Sequence, residues 1–273
     1  MSNIRIQQRM DALKASGRKA LIPYIVAGDP TPSITVPAMH AMVAAGADVI
    51  ELGMPFSDPF ADGPVNQRGA ERAIAAGMTL PGVINAVAEF RKQDDQTPVV
   101  LMGYLNPLIA MGETTFCKAC ENAGVDGLLI VDMPPEEEGS LVQSAKRHGL
   151  DLIYLAAPTT TDARLETIGN ATSGYLYYVS LKGITGSSKL DTHEVSQRIT
   201  HMRQHVSVPI CVGFGIRTAE DAAAISTAAD GSIVGTVLVS QVEALANQPE
   251  QIPVALQAIL QPMRQAMDAK AYG

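Results

Sequence analysis

Two acidic residues stand where they could do chemistry. Glu51 lies near the end of the run Asp48-Val49-Ile50-Glu51-Leu52, and Asp62 sits in the turn-rich stretch that follows, GMPFSDPFADGPVNQRG from Gly53 to Gly69. Alternate side chains of an extended segment share a face, so Val49 and Glu51 point one way and Ile50 and Leu52 the other. If the apolar pair meets a covering helix, the carboxylate turns inward, a costly position unless it is used. A structural carboxylate capping a loop is the alternative reading, because ion-pair networks also recruit such groups. Leu128, Ile130 and Asp132 are expected to repeat the geometry of Glu51. A phenol and an amide, Tyr104 and Asn106, follow a further apolar run, and Tyr175 and Tyr177 lie on another. The five histidines, His40, His148, His193, His201 and His205, fall in helical or connecting stretches. Acid–base work therefore falls to carboxylates.

Glycine supplies the other half of the chemistry. Lys182-Gly183-Ile184-Thr185-Gly186-Ser187-Ser188, Gly213-Phe214-Gly215-Ile216-Arg217-Thr218 and Gly235-Thr236 each follow an apolar run. Turns without side chains let backbone N–H groups close on an anion, and barrel phosphate sites are commonly built this way. Neither a Walker A lysine motif nor G-x-G-x-x-G occurs in the sequence, so nucleotide binding of those kinds is not expected.

These groups need a scaffold, and the runs that carry them define one. Ala20–Val26, Ala47–Leu52, Pro98–Gly103, Gly127–Asp132, Asp151–Ala156, Tyr175–Ser180, Val208–Gly213 and Gly231–Gly235 recur about every 30 residues, separated by amphipathic stretches. The pattern predicts an α/β fold, a single (β/α)8 TIM barrel over residues 1–273, with active groups at the C-terminal strand ends. Ile4, Ile6, Met10 and Leu13 predict an extra N-terminal helix over the barrel floor, and Gly53–Gly69 predicts a long functional loop after strand 2. The segments AAGADVIEL, NAGVDGLLIVD and TAADGSIVG each place an Asp at a strand entry after a helix end.

Composition narrows the class. The 273 residues are 47% hydrophobic and 18% charged, with formal net charge −8. That is a folded chain rather than a disordered one, and its acidity argues against nucleic acid as a partner. No apolar run reaches the roughly 18 residues of a membrane span, and the N-terminus reads as a mature soluble start. The three cysteines suggest no disulfide framework. Cys117 and Cys120 form a C-x-x-C inside a helical stretch, without the second pair or neighbouring histidine that zinc would need.

The motifs together resemble the tryptophan synthase α subunit family: PYIVAGDP (Pro23–Pro30), ELGMPFSDPFADGP (Glu51–Pro64), LMGYLNP (Leu101–Pro107), GITG (Gly183–Gly186) and GFGI (Gly213–Ile216), in family order along nearly the whole chain. The resemblance implies cleavage of indole-3-glycerol phosphate to indole and glyceraldehyde 3-phosphate. It implies Glu51 as the acid–base residue and Asp62 as acceptor of the indole N–H. It further implies that Tyr177 orients Glu51 and that Thr185 lies in a closing loop and touches Asp62. Gly186, Gly215, Gly235 and Thr236 would hold the phosphate, and Tyr24, Met102, Leu129 and Phe214 would line the indole slot. The sequence departs from the family pattern at Asn66, usually apolar, at Thr236, usually Ser, and at Lys182, usually smaller.

The family works with a β subunit carrying pyridoxal phosphate, so no cofactor is expected in this chain, and no Lys lies on a predicted strand. An α2β2 complex in the cytoplasm is implied, with Pro55, Asp58 and Asn106 facing the β subunit. Another phosphate-binding barrel isomerase or lyase, or a catalytically lapsed regulatory subunit, are the other readings open at this point.

Overall fold

The computed structural model describes residues 4–137, 139–180, 192–213 and 215–271. Its strands are β1 (Ala20–Val26), β2 (Ile50–Gly53), β3 (Val99–Gly103), β4 (Gly127–Ile130), β5 (Asp151–Leu152), β6 (Leu155–Ala156), β7 (Leu176–Val179), β8 (Ile210–Gly213) and β9 (Gly231–Val234). The hydrogen-bonded order is β5-β4-β3-β2-β1-β9-β8-β7-β6, with every pairing parallel. The two ends of that order, β5 and β6, are halves of the single run expected over 151–156. Across the break, Ile153 N–H donates to Leu128 O at 2.9 Å and Tyr154 O accepts from Tyr177 N–H at 3.0 Å. The sheet therefore closes into a TIM barrel whose fifth strand is interrupted at Ile153-Tyr154.

Helices cover the outside. In chain order they are α1 (Arg5–Ala15), α2 (Thr35–Ala44), α3 (Pro64–Ala75), α4 (Leu80–Phe90), α5 (Leu105–Met111), α6 (Glu113–Ala123), α7 (Ser140–Arg147), α8 (Asp162–Ala171), α9 (Thr192–Met202), α10 (Ala219–Ser226), α11 (Thr236–Ala244) and α12 (Ile252–Ala271). Among the described residues, no single helix is long and apolar enough to cross a membrane.

The strand alternation sorts the core into two layers. Ile50, Leu52, Leu101, Leu128 and Ile130 face the helices, while Val49, Val100, Leu129, Tyr175, Cys211 and Ile233 fill the barrel. Ile6, Met10 and Leu13 of α1 join that inner layer and close its floor. Ile4 does not follow them, since it lies before the helix and is 45% exposed. Full burial of one such aliphatic side chain contributes about 1.5–3 kcal/mol, so the plug is a substantial part of floor stability. Cys117 and Cys120 are buried on the inner side of α6, unbonded, with thiols pushed up chiefly by burial.

The repeated aspartates have a common task. Asp48, Asp126 and Asp230 each accept from a backbone N–H of an adjacent strand or its entry: Leu21 at 2.9 Å, Val99 at 2.7 Å and Ile210 at 2.9 Å. Cations fasten them from the helix layer, with Arg264 on Asp48 and both Arg91 and Arg5 on Asp126. Asp126 follows Gly124, which ends α6 in the left-handed conformation that glycine adopts without strain. Asp132 departs from expectation. Leu128 and Ile130 point outward, and Asp132 accepts from Leu105 N–H at 2.8 Å at the start of α5, so it serves a helix terminus rather than the barrel mouth.

Candidate active site

Glu51 is the second residue of β2, paired in register with Tyr24 on one side and Val100 on the other. Its neighbours Ile50 and Leu52 belong to the helix-facing layer, so the side chain turns inward and is completely buried. Burial among barrel side chains pushes the carboxyl up to about 8, opposed only by one hydrogen bond from Tyr175. At neutral pH the group therefore carries its proton, the state a general acid requires.

That hydrogen bond runs from Tyr175 Oη to Glu51 Oε1 at 2.6 Å, and Glu51 Oε2 has no partner among the described residues. The resemblance named Tyr177 for this contact. Tyr175 makes it because it lies one step nearer the floor, fully buried in the inner layer. Tyr177 is nearer the mouth and its ring passes over Gly213, where a Cβ would sit 2.1 Å from the phenol oxygen. Gly53 gives the same room to Tyr24, with a Cβ 2.5 Å from that hydroxyl. Both phenols are raised by burial and by the nearby Glu51 and Asp62 carboxyl groups. Tyr24 and Tyr177 thus stand within the field of both acids at once.

Asp62 is placed by the long loop and by β3. Tyr104 Oη donates to Asp62 Oδ2 at 2.7 Å and accepts from Ala61 N–H at 3.1 Å, closing the loop onto the strand end. Phe56 and Phe60 flank the Tyr104 ring at 5.5 and 5.4 Å. Gln67, one turn into α3, donates to the backbone carbonyl of Asp62 at 2.8 Å. Asn66 Nδ2 approaches Asp62 Oδ1 at 3.4 Å, and its own buried Oδ1 has no partner among the described residues. Burial raises the Asp62 carboxyl, and the Tyr104 and Asn66 donors oppose it. The two acids are thus differently provided: Glu51 has one donor, Asp62 two.

A cleft opens at Asp62, lined among others by Tyr24, Phe56, Asp62, Asn66, Met102 and Tyr104. Tyr24 and Met102, expected at the indole slot, are in its wall. Leu129 is not, being fully buried in the inner barrel layer. Lys182, Thr185, Gly186 and Phe214 lie outside the described residues. Gly215 is exposed with φ +80°, where other residues would be strained. Gly235 is the N-cap of α11 and Thr236 its first residue. At α10 a capping box pairs the Asp221 amide with the Thr218 hydroxyl and the Thr218 amide with the Asp221 carboxylate, whereas Gly235 caps α11 with no side chain. A helix N-terminus left in that state suits an anion.

Pro55 lies half-buried on the cleft wall, and Asp58 and Asn106 are exposed. Phe60 of the same loop is 68% exposed and Ile109 of α5 is 54% exposed. Tyr104 and Tyr175 are the polar groups whose contacts with the acids the motifs did not announce. Alternation could have flagged Tyr175, since Leu176 and Tyr178 face the helix layer and their neighbours must face inward.

Known proteins resemble this chain over nearly its whole length. The sequence model of the family described as tryptophan synthase alpha chain matches residues 10–268. The tryptophan synthase alpha chain of Nitrosococcus oceani is 55% identical over 265 residues, covering 97% of this chain and 98% of that protein. That of Laribacter hongkongensis is also 55% identical, over 97% of this chain and 99% of its own. The crystal structure of tryptophan synthase subunit alpha from Legionella pneumophila superposes with a TM-score of 0.91 at 44% identity, covering 98% of this chain and 99% of that one. A chain of Mycobacterium tuberculosis tryptophan synthase in an aminoacrylate-bound form gives 0.85 at 31% identity, covering 98% and 100%. The chain belongs to the tryptophan synthase alpha chain family.

Proposed function

We propose that this chain, one barrel domain over residues 1–273, cleaves indole-3-glycerol phosphate to indole and glyceraldehyde 3-phosphate, with Glu51 as its acid–base residue and Asp62 as its electrostatic partner. The observation that carries the reading is the shared placement of the two acids about Tyr24 and Tyr177, one of them protonated near neutral pH.

The chemistry follows from the difficulty of expelling an indole carbanion. Protonated Glu51 delivers its proton to indole C3, forming the C3–H bond and an iminium at the ring nitrogen. Asp62, held by Tyr104 and Asn66, accepts from the N–H and offsets the positive charge as it grows. The Glu51 carboxylate then removes the proton of the adjacent glycerol hydroxyl. That oxygen forms the aldehyde carbonyl, the C–C bond breaks, and its electron pair returns to the ring to restore indole. One carboxyl group thus serves as acid and then base, and such proton transfer contributes about 10²–10⁴ in rate.

The remaining assignments follow the same reading. Backbone groups of Gly186, Gly215, Gly235 and Thr236 hold the phosphate, with the α11 N-terminus supplying the dipole. Tyr24, Met102 and Phe214 form the apolar surroundings of the indole, with Leu129 in the inner barrel layer rather than on the cleft wall, and Thr185 lies in a loop that closes on Asp62. Tyr177 lies across Gly213, within the field of both acids. Indole passes to a β subunit that carries pyridoxal phosphate, in an α2β2 complex in the cytoplasm. Pro55, Asp58 and Asn106 face that subunit, and exposed Phe60 and Ile109 supply apolar area beside them.

Turnover of indole-3-glycerol phosphate by the purified chain, with and without its β subunit, tests the proposal. Indole release that the β subunit enhances is the expected result, and no release under either condition would overturn it. The chain contains no tryptophan, so indole in the cleft can also be followed by fluorescence.

A further inference from the structure

We propose that α8 and the end of α9 form a binding site for a zinc-class divalent ion, with His201, His205 and Asp162 as ligands and Glu166 completing the set. The site lies on the helix layer and takes no part in the cleavage chemistry.

The two histidines are four residues apart, the spacing that puts both imidazoles on one side of a helical turn, as in two-histidine zinc motifs. The turn continues beyond the last residue of α9: Arg203 N–H donates to Ile199 O and Val206 N–H to Met202 O, each at 3.0 Å. The imidazole centroids are 5.3 Å apart. Asp162 and Glu166 have the same spacing on α8 and face them. His201 Nε2 lies 2.7 Å from Asp162 Oδ1, and His205 Nδ1 lies 3.3 Å from Glu166 Oε1.

One ligand atom from each of Asp162, His201 and His205 lies within 4.8 Å of the other two. A tetrahedral ion at about 2.0–2.1 Å from its ligands sets those ligands about 3.3 Å apart. The observed separations, 2.7 and 3.3 Å for the two hydrogen-bonded pairs and within 4.8 Å among the three ligands, bracket that value.

The donor set selects the metal. Two imidazole nitrogens with carboxylate oxygen suit zinc, nickel and copper, whereas magnesium and calcium require oxygen ligands. Two carboxylates balance the charge of a divalent ion, while Arg198 donates to Thr160 O and Arg164 pairs with Glu136. Asp162 is exposed, which leaves the ion an entry path. Because α8 and α9 follow different strands, β6 and β7, a bound ion would join two neighbouring strand–helix units of the barrel.

The untagged chain would be titrated with zinc chloride by calorimetry and its melting followed, with magnesium chloride as control. One zinc equivalent is expected, with a rise in Tm that magnesium does not produce. Loss of an outer-shell partner costs about 10–100-fold in metal affinity, so His201→Gln and His205→Gln should each weaken zinc binding at least that much. Asp162→Asn, nearly isosteric, should weaken it as well, and metal-free Tm and indole release should stay close to those of the parent. Absence of zinc binding, or binding that all three variants retain, would overturn the proposal.

Discussion

The hydroxyl of Tyr175 donates to Glu51 Oε1 at 2.6 Å beneath a cleft whose lining does not include Glu51. The bond is the one attraction opposing a burial cost that holds the Glu51 carboxyl at about 8. Removing it with Tyr175→Phe should raise that value further and move the alkaline limb of the pH–rate profile upward. With Oε2 unpartnered among the described residues, the loss should also lower stability by about 1–3 kcal/mol. Thermal unfolding and a pH profile together check both effects, and an unshifted limb would show that the bond does not govern the acid.

The charge state of Glu51 sets the pH dependence of the native enzyme. Cleavage begins from the protonated form, so kcat/KM should fall as pH rises through about 8. Stability should follow the same direction. Between the ordinary value of 4.5 and about 8 the folded chain holds a proton that the unfolded chain has released, so stability is lost as pH rises through that window. Denaturant unfolding from pH 5 to 9 measures it.

Glu51→Gln keeps the shape and removes the titration. Indole release should drop by about 10²–10⁴, while affinity for a phosphate-bearing substrate analogue is retained. The variant should also be more stable than the parent above pH 8, where the parent must bury a charge. Normal turnover in this variant would refute the catalytic assignment.

Asp62 has to be ionised to face a cationic indole ring, and its two donors favour that form. Tyr104→Phe or Asn66→Ile should raise its pKa and shift the acidic limb of kcat/KM to higher pH, the larger shift coming from Tyr104 because its bond is 2.7 Å against 3.4 Å. Steady-state profiles of the two variants give the comparison.

At the barrel floor, Asp126→Ala would strip Val99 N–H and both Arg5 and Arg91 of one acceptor. Arg91 is largely buried, and breaking such a pair costs about 3–5 kcal/mol. A fall in Tm is expected, with catalytic constants of the folded fraction little changed, since none of these groups touches the cleft.

The sequence by itself determined where strands begin and which side of each is apolar, because alternation and strand spacing are local properties of the chain. It placed all eight strand regions, turned Glu51 inward, put a plug helix beneath the barrel and marked the aspartates at the strand entries. Only the tertiary structure decided which partners meet. The break at Ile153-Tyr154 arises where the sheet passes from one neighbour to the other as it closes. Tyr175 rather than Tyr177 reaches Glu51, and Asp132 caps a helix instead of entering the mouth. Tyr104 meets Asp62 across 42 positions, and the α8 carboxylates meet His201 and His205 across 39. Alternation fixes the face on which a side chain lies, whereas its height along the barrel depends on the stagger between strands distant in sequence, and hydrogen bonds respond to that height within a fraction of an ångström.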